Sequence, residues 1–228
     1  MQFTRFAIYV TPPAGRFADL GAAWLGWDSA TGQPVDPPAL PDLPAPAHEI
    51  TATPRRYGLH ATIVPPFRLA EGQTVSTLRD GLTQICHATR PVMLDGLDIA
   101  AMGRFLALVP AGDTGAIDAL AADTLLEFER FRAPPSDTEL ARRRKPTLTP
   151  RQDAYLTRWG YPHVMSDFRF HITLTGKRPR AELAMLRQVL DRHLTPLVPR
   201  PFPIDALSLM GEDSQGLFHL IRRQPLGG

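Results

Sequence analysis

The sequence predicts an α+β protein built from two similar halves, and three observations lead there. A segment occurs twice, as Tyr57-Gly-Leu59-His60-Ala-Thr62-Ile63 and as Phe168-Arg-Phe170-His171-Ile-Thr173-Leu174. Each histidine has a large apolar residue three and one positions before it and three after it, the period-two pattern of a half-buried strand. Each copy is followed by a helical stretch and then by two strand-like runs joined by a turn. In an extended strand, alternation sends His60 and Thr62 to one face while Tyr57, Leu59 and Ile63 fill the other. The second copy repeats this, with His171 and Thr173 opposite Phe168, Phe170 and Leu174.

The elements follow in order. Arg5 to Thr11 reads as a strand with Phe6, Ile8 and Val10 on one face and Arg5, Ala7 and Tyr9 on the other, so Tyr9 is either a stacking platform for a ligand or a packed aromatic with its hydroxyl bonded. A helix follows over about Phe17 to Trp27. Seven of the chain's 24 prolines fall between Gly32 and Pro54, which marks a surface loop that either borders the site or merely connects. After the first histidine strand come a helix (Thr74 to His87) and strands Val92 to Ala100 and Arg104 to Val109 around a Met-Gly turn. The halves divide near Pro110 to Thr114, as lobes of roughly 1–112 and 113–228 within one domain, with exchange of elements between them allowed. A helix closing near Glu129 leads into a loop carrying Arg142-Arg-Arg-Lys145, which is either a solvated loop or a contact for phosphate or RNA. The next helix start is well marked, since Thr149-Pro-Arg-Gln152 supplies an N-cap threonine, proline at the first helical position and glutamine at N3; Gly160 is its stop. After the second histidine strand come a helix (Arg180 to Leu194) and strands Ile204 to Met210 and Leu217 to Arg222, joined by Glu212-Asp-Ser-Gln-Gly216.

A bare His-x-Thr triplet is weak evidence, because random placement of 7 His and 19 Thr in 228 residues yields about 0.6 of them. His87-Ala-Thr89 is a third match, but it ends a helical stretch and runs into Arg90-Pro91, where the two side chains cannot be presented together. His48, His163, His193 and His219 lack both the threonine and the flank and read as surface or satisfied histidines. Cys86, the lone cysteine, lies beside Ile85 in a helix and reads as a core thiol; it excludes an intramolecular disulfide and a cysteine-rich zinc site.

Composition sets further bounds. With 43% hydrophobic residues the chain can bury a full core, and it has no apolar run long enough to span a membrane. The N-terminal stretch reads as an amphipathic strand rather than an apolar leader, so a cytoplasmic protein with no membrane partner is expected. Net charge is +2, and 23 of the 25 basic residues are arginine, a balance that does not demand nucleic acid. The sequence contains no His-x-His or His-x-x-x-His pair for a metal, no Gly-x-x-x-x-Gly-Lys-Ser/Thr or Gly-x-Gly-x-x-Gly loop for a nucleotide cofactor and no Gly-x-Ser-x-Gly elbow.

The two His-x-Thr strands in duplicated halves resemble the 2H phosphoesterase superfamily, which includes RNA 2′,3′-cyclic phosphodiesterases and 2′-5′ RNA ligase-like proteins. Within it, Arg55-Arg-Tyr-Gly-Leu-His-Ala-Thr-Ile-Val-Pro-Pro-Phe-Arg68, Gly21-Ala-Ala-Trp-Leu-Gly26, Phe131-Arg-Ala-Pro134, Trp159-Gly-Tyr-Pro162 and Phe168-Arg-Phe-His-Ile-Thr-Leu-Thr-Gly176 look like the DUF1045 group, commonly encoded with phosphonate-utilisation genes. The resemblance implies two pseudo-symmetric lobes, each an antiparallel sheet with helices on its outer face, flanking a central groove. It implies a phosphodiesterase needing neither metal nor cofactor, with His60 and His171 as general acid and base in an order the sequence leaves open, and Thr62 and Thr173 binding the phosphate. Strand alternation adds Arg56 and Gly58 beside His60 and Arg169 beside His171; the arginines are candidates for gripping phosphate, and Gly58 would let substrate or backbone approach closely. The expected partner is a small phosphorylated substrate, a cyclic nucleotide or a phosphoribosyl compound, with RNA ends as a further candidate. The competing class is a non-catalytic binder of phosphorylated sugar, nucleotide or RNA ends.

Overall fold

In the computed structural model, which describes residues 2–145 and 147–227, the alternation of the N-terminal run is realised as β1 (Arg5–Val10). Helix α1 (Arg16–Leu25) stops where Gly26 turns left-handed, with φ of 77°. The proline-crowded segment carries a short ribbon, β2 (Trp27–Asp28) with β3 (Gln33–Pro34), and one helical turn, α2 (Ala47–Ile50). It is not a loose connector, since Ala47 and Ile50 are buried and the Ile50 carbonyl accepts from the Gly176 amide at 2.7 Å. The first histidine strand is β4 (Ala61–Phe67), followed by α3 (Val75–Ala88), which Thr74 starts with a reciprocal capping box to Thr77.

The run expected over Val92 to Ala100 divides into β5 (Val92–Leu94) and β6 (Gly96–Met102), and β7 (Phe105–Ala111) completes the hairpin. After α4 (Gly115–Glu127) the structure departs from the sequence reading: Asp137–Arg143 is a helix, α5, where a loop was expected. Ser136 accepts from the Glu139 amide while the Glu139 carboxylate accepts from the Ser136 amide, and Arg142 and Arg143 sit in the last turn where the helix dipole favours cations. Helix α6 (Pro150–Trp159) has the expected Thr149/Gln152 capping box and ends at left-handed Gly160. The remaining elements are β8 (Ile172–Thr173), α7 (Arg180–His193), β9 (Phe202–Ile204), β10 (Ala206–Glu212) and β11 (Phe218–Pro225).

The architecture is α+β, with a seven-stranded antiparallel sheet in the order β11-β10-β1-β4-β8-β7-β6. The hairpins are exchanged: β6–β7, which follows the first histidine strand in sequence, pairs with the second, β8, while β10–β11 joins the side of the sheet that holds β1 and β4. Helix α3 packs on β10 and β11, α4 on β4 and α7 on β6 and β7. The main core lies between this helical layer and one sheet face, which supplies Phe6, Ile8, Val10, Ala61, Ile172, Leu106, Leu108, Leu97, Ile99, Leu207 and Leu209. The opposite face carries a small apolar cluster of Ala7, Tyr9, Met210 and Phe218, packed with Tyr57 and Leu220. Cys86 is buried in the main core, and burial pushes its thiol up to about 11. No helix among the described residues is long and apolar enough to cross a membrane.

The two half-sheets are joined by the β4–β8 pairing, whose register is Ala61 with Ile172. Ile172 is 1% exposed. Ile172→Ala is expected to destabilise the protein by about 2–5 kcal/mol, read from the midpoint of urea unfolding at unchanged m-value.

Candidate active site

The joint decides the geometry of both motifs. Ala61 and Ile172 both face the main core, so the residues flanking each of them face the other way. Continuing the antiparallel register one step in each direction sets His60 opposite Thr173 and Thr62 opposite His171. The arrangement is crossed, with each histidine facing the other copy's threonine, and it makes the two histidines diagonal neighbours, about 7–8 Å apart. The structure thus brings together His60, Thr62, His171 and Thr173.

The two rings are held alike. His60 Nδ1 lies 3.0 Å from the Gly58 carbonyl and His171 Nδ1 lies 2.8 Å from the Arg169 carbonyl. A carbonyl only accepts, so each Nδ1–H donates, and in a neutral ring Nε2 is left with the lone pair. At His60 that lone pair accepts the Thr62 hydroxyl at 3.2 Å.

Burial separates the two rings. His60 is 9% exposed, whereas His171 is partly open. Tyr9 lies across the His60 ring at 4.0 Å between centroids and Tyr57 at 5.5 Å, while Phe105 stands 6.1 Å from His171. Loss of hydration lowers the His60 pKa to about 4, against the pull of the Gly58 carbonyl, and the charge His171 can carry lowers it further.

Several residues sit elsewhere than strand alternation expected. Pro54–Tyr57 is a 3-10 turn, so alternation does not run back through Arg56 or Tyr57. Arg56 is exposed, with its guanidinium 5.8 Å from the Tyr57 ring, and Tyr57 joins the cluster beside His60 instead of the main core. Gly58 has φ of 70°, and a Cβ there would stand 2.7 Å from Ser29 Oγ; the close approach is to backbone and side chain of the protein's own chain, and the glycine aims its carbonyl at His60. Arg169 is exposed and its guanidinium folds back on the Ser166 and Phe168 carbonyls; its carbonyl is what meets His171. Tyr9 is fully buried, and among the described residues its hydroxyl has no partner. Neither ligand stacking nor a bonded hydroxyl describes it; it packs on His60, and burial raises its pKa well above 10.

In the stretch after α6, His163 is exposed, as expected of a surface histidine, and Tyr161 is half-buried beside it. Tyr161 is near enough to Tyr57 that ionisation of one disfavours the other, and His163 lies edge-on to it at 5.7 Å, within range of the His171 charge. Tyr161 belongs to the Trp159-Gly-Tyr-Pro162 motif. His219 is buried and bonds Asp213 at 2.8 Å. Among the described residues no three His, Cys, Asp or Glu side chains cluster as they would around a metal.

Two histidines and two threonines thus share one face at the seam of an antiparallel sheet. The family described as "Protein of unknown function (DUF1045)" matches residues 62–219, more than half of the chain, and the protein belongs to that family. Among curated proteins it is similar to "Ribose 1,5-bisphosphate phosphokinase PhnN" of Janthinobacterium sp. (strain Marseille), 36% identical over 94% of this chain and 49% of that protein. The protein of the same name from Laribacter hongkongensis (strain HLHK9) is 33% identical over 96% of this chain and 51% of that protein. The chain therefore spans about half the length of these relatives. Among solved structures it is similar to TT0787 of Thermus thermophilus (14% identity, TM-score 0.48, 98% of both chains) and to E. coli LigT complexed with 3'-AMP (14% identity, TM-score 0.47, 100% of both chains).

The buried ring makes stability pH-dependent. An unfolded histidine binds its proton near pH 6.5 and folded His60 only near pH 4, so as pH falls through that window the unfolded chain takes up the extra proton and stability is lost, on the order of 3 kcal/mol. Urea unfolding of the wild type and of His60→Gln between pH 7 and 4 checks this: the variant should lack that share of the acid destabilisation.

Proposed function

We propose that the protein is a phosphodiesterase that opens a cyclic phosphodiester, or cleaves a small linear one, by paired-histidine acid-base catalysis. The observation that supports this most is the crossed register at the Ala61–Ile172 joint, which gives one phosphorus centre two imidazoles and two hydroxyls from opposite sides. Both rings carry Nδ1–H on a backbone carbonyl, so both direct Nε2 into the cleft, where protons would move.

His60, kept neutral by burial, is the base, and partly open His171 is the acid. Water attacks phosphorus as its proton passes to His60 Nε2. The bond from phosphorus to the sugar oxygen breaks, and that oxygen takes the Nε2 proton of the His171 imidazolium. The sum is addition of one water, giving a phosphomonoester and a free hydroxyl; the two rings then exchange protons with solvent. Thr62 and Thr173 donate hydroxyls to the non-bridging oxygens. No step requires a metal.

The name of the curated relatives supports a phosphorylated ribose or nucleotide as substrate, in phosphonate or nucleotide metabolism. That name belongs to proteins about twice as long, and this sequence has no Gly-x-x-x-x-Gly-Lys-Ser/Thr cradle for a phosphate donor.

With a 2′,3′-cyclic nucleotide as substrate, kcat/KM should trace a bell against pH, and His60→Ala and His171→Ala should each lower kcat on the order of 10²-fold or more, with turnover persisting in EDTA. Wild-type turnover in both variants together with its loss in EDTA would overturn the mechanism, and binding of the cyclic nucleotide without turnover would favour the non-catalytic binder.

A further inference from the structure

A second cluster of cations lies at the far end of β4 from His60, in a recess lined by Pro66, Arg68, Arg132, Glu139, Arg143 and Trp159. Phe67 pairs with core-facing Phe6, so Pro66 lies on the sheet face that carries Thr62. Arg143 stands 5.7 Å from the Tyr161 ring, and the charge of Tyr161 bears on Tyr57 and Tyr9, which line His60; Arg132 lies 5.6 Å from the ring of core-facing Phe67 and 5.7 Å from that of Trp159.

The charges in the recess do not balance. Glu139 is spoken for by Arg68 at 2.8 Å and by the Ser136 amide at 3.0 Å. Among the described residues Arg132 and Arg143 form no ion pair. Each gives one nitrogen to a carbonyl at the end of α6, Arg132 to Trp159 and Arg143 to Gly160. Capping the helix accounts for those nitrogens and no others. Among the described residues Arg132 Nη1 is buried with no partner, an arrangement that costs free energy unless something occupies the space beside it. Burial lowers the Arg132 pKa to about 10; the Glu129 charge opposes the shift and the Arg143 charge adds to it, so an anion in the recess would relieve the repulsion between the two arginines.

We infer that Arg132 and Arg143 form a second anion subsite, one that takes a phosphate group carried by the same substrate whose phosphodiester reacts between the histidines. This rests on the reading of the histidine pair as the reacting centre. Thr62 pairs with Tyr9 and Phe67 with Phe6, so this bulged stretch of β4 covers only the length of three β1 residues, about 10 Å. That is within reach of a second phosphate on the same sugar or of a phosphate chain on its 5′ carbon.

The test compares kcat/KM for adenosine 2′,3′-cyclic phosphate with that for the same compound bearing a 5′-triphosphate. Charge-assisted hydrogen bonds to the far phosphates should give the second substrate an advantage of about ten-fold or more, and Arg143→Gln should abolish most of it while Arg143→Lys restores part. An equal kcat/KM for both substrates, or a preference untouched by Arg143→Gln, overturns the subsite. Should Arg143→Gln fail to fold, inhibition of the wild type decides: adenosine 5′-triphosphate should compete about ten-fold better than adenosine, and equal inhibition overturns the proposal. If no cyclic phosphodiester is turned over, yet calorimetry finds adenosine 5′-triphosphate binding that Arg143→Gln weakens, the catalytic reading fails and the subsite stands.

Discussion

One backbone pairing organises this protein: Ala61 against Ile172, where β4 meets β8. Because strand side chains alternate strictly, burying these two residues in the main core obliges the four residues flanking them to leave it together. A slip of one residue by β8 at this joint would turn His171 and Thr173 into the core and expose Ile172. The apolar core thus holds the register of the polar cleft. The exchanged hairpins reinforce the joint, since β7 pairs with β8 on one side and β1 with β4 on the other, and neither histidine strand is an edge.

The duplicated motif does not yield duplicate environments. Both rings rest their Nδ1–H on the carbonyl two residues back, a local contact that each copy makes for itself. What lies over each ring comes from elsewhere in the chain: Tyr9, Tyr57 and Phe218 pack around His60, while His171 has Phe105 and the stretch with Tyr161 and His163. Burial differs accordingly, and at His60 the loss of hydration disfavours the charged ring.

Much of the chain was legible because its signals are local. The Thr74 and Thr149 caps, the Gly160 stop and the helical and strand periods all depend on residues within a few positions of one another. Helix α5 carried the same kind of signal in Ser136-Asp-Thr-Glu139, but the short apolar content of Asp137–Arg143 gave no periodic face, and the basic run drew attention to itself. Alternation misled at Arg56, Tyr57 and Tyr9's hydroxyl. The backbone leaves the strand conformation at the Pro54 turn, which shortens the stretch over which period two holds, and sequence spacing does not say whether a buried hydroxyl finds a partner.

By itself the sequence determined the α+β class, the two His-x-Thr strands and the helices and hairpins that follow them, because each is written in the order of apolar and polar residues along a short segment. Tertiary structure decided which hairpin lies beside which histidine, the crossing of each histidine onto the other copy's threonine, and the gathering of Arg132 and Arg143 at the end of β4. Those outcomes depend on contacts between residues more than sixty positions apart, or on elements outside the sheet. The physical reason is that pairing between strands is chosen by the joint burial of their apolar faces, a property no single segment possesses.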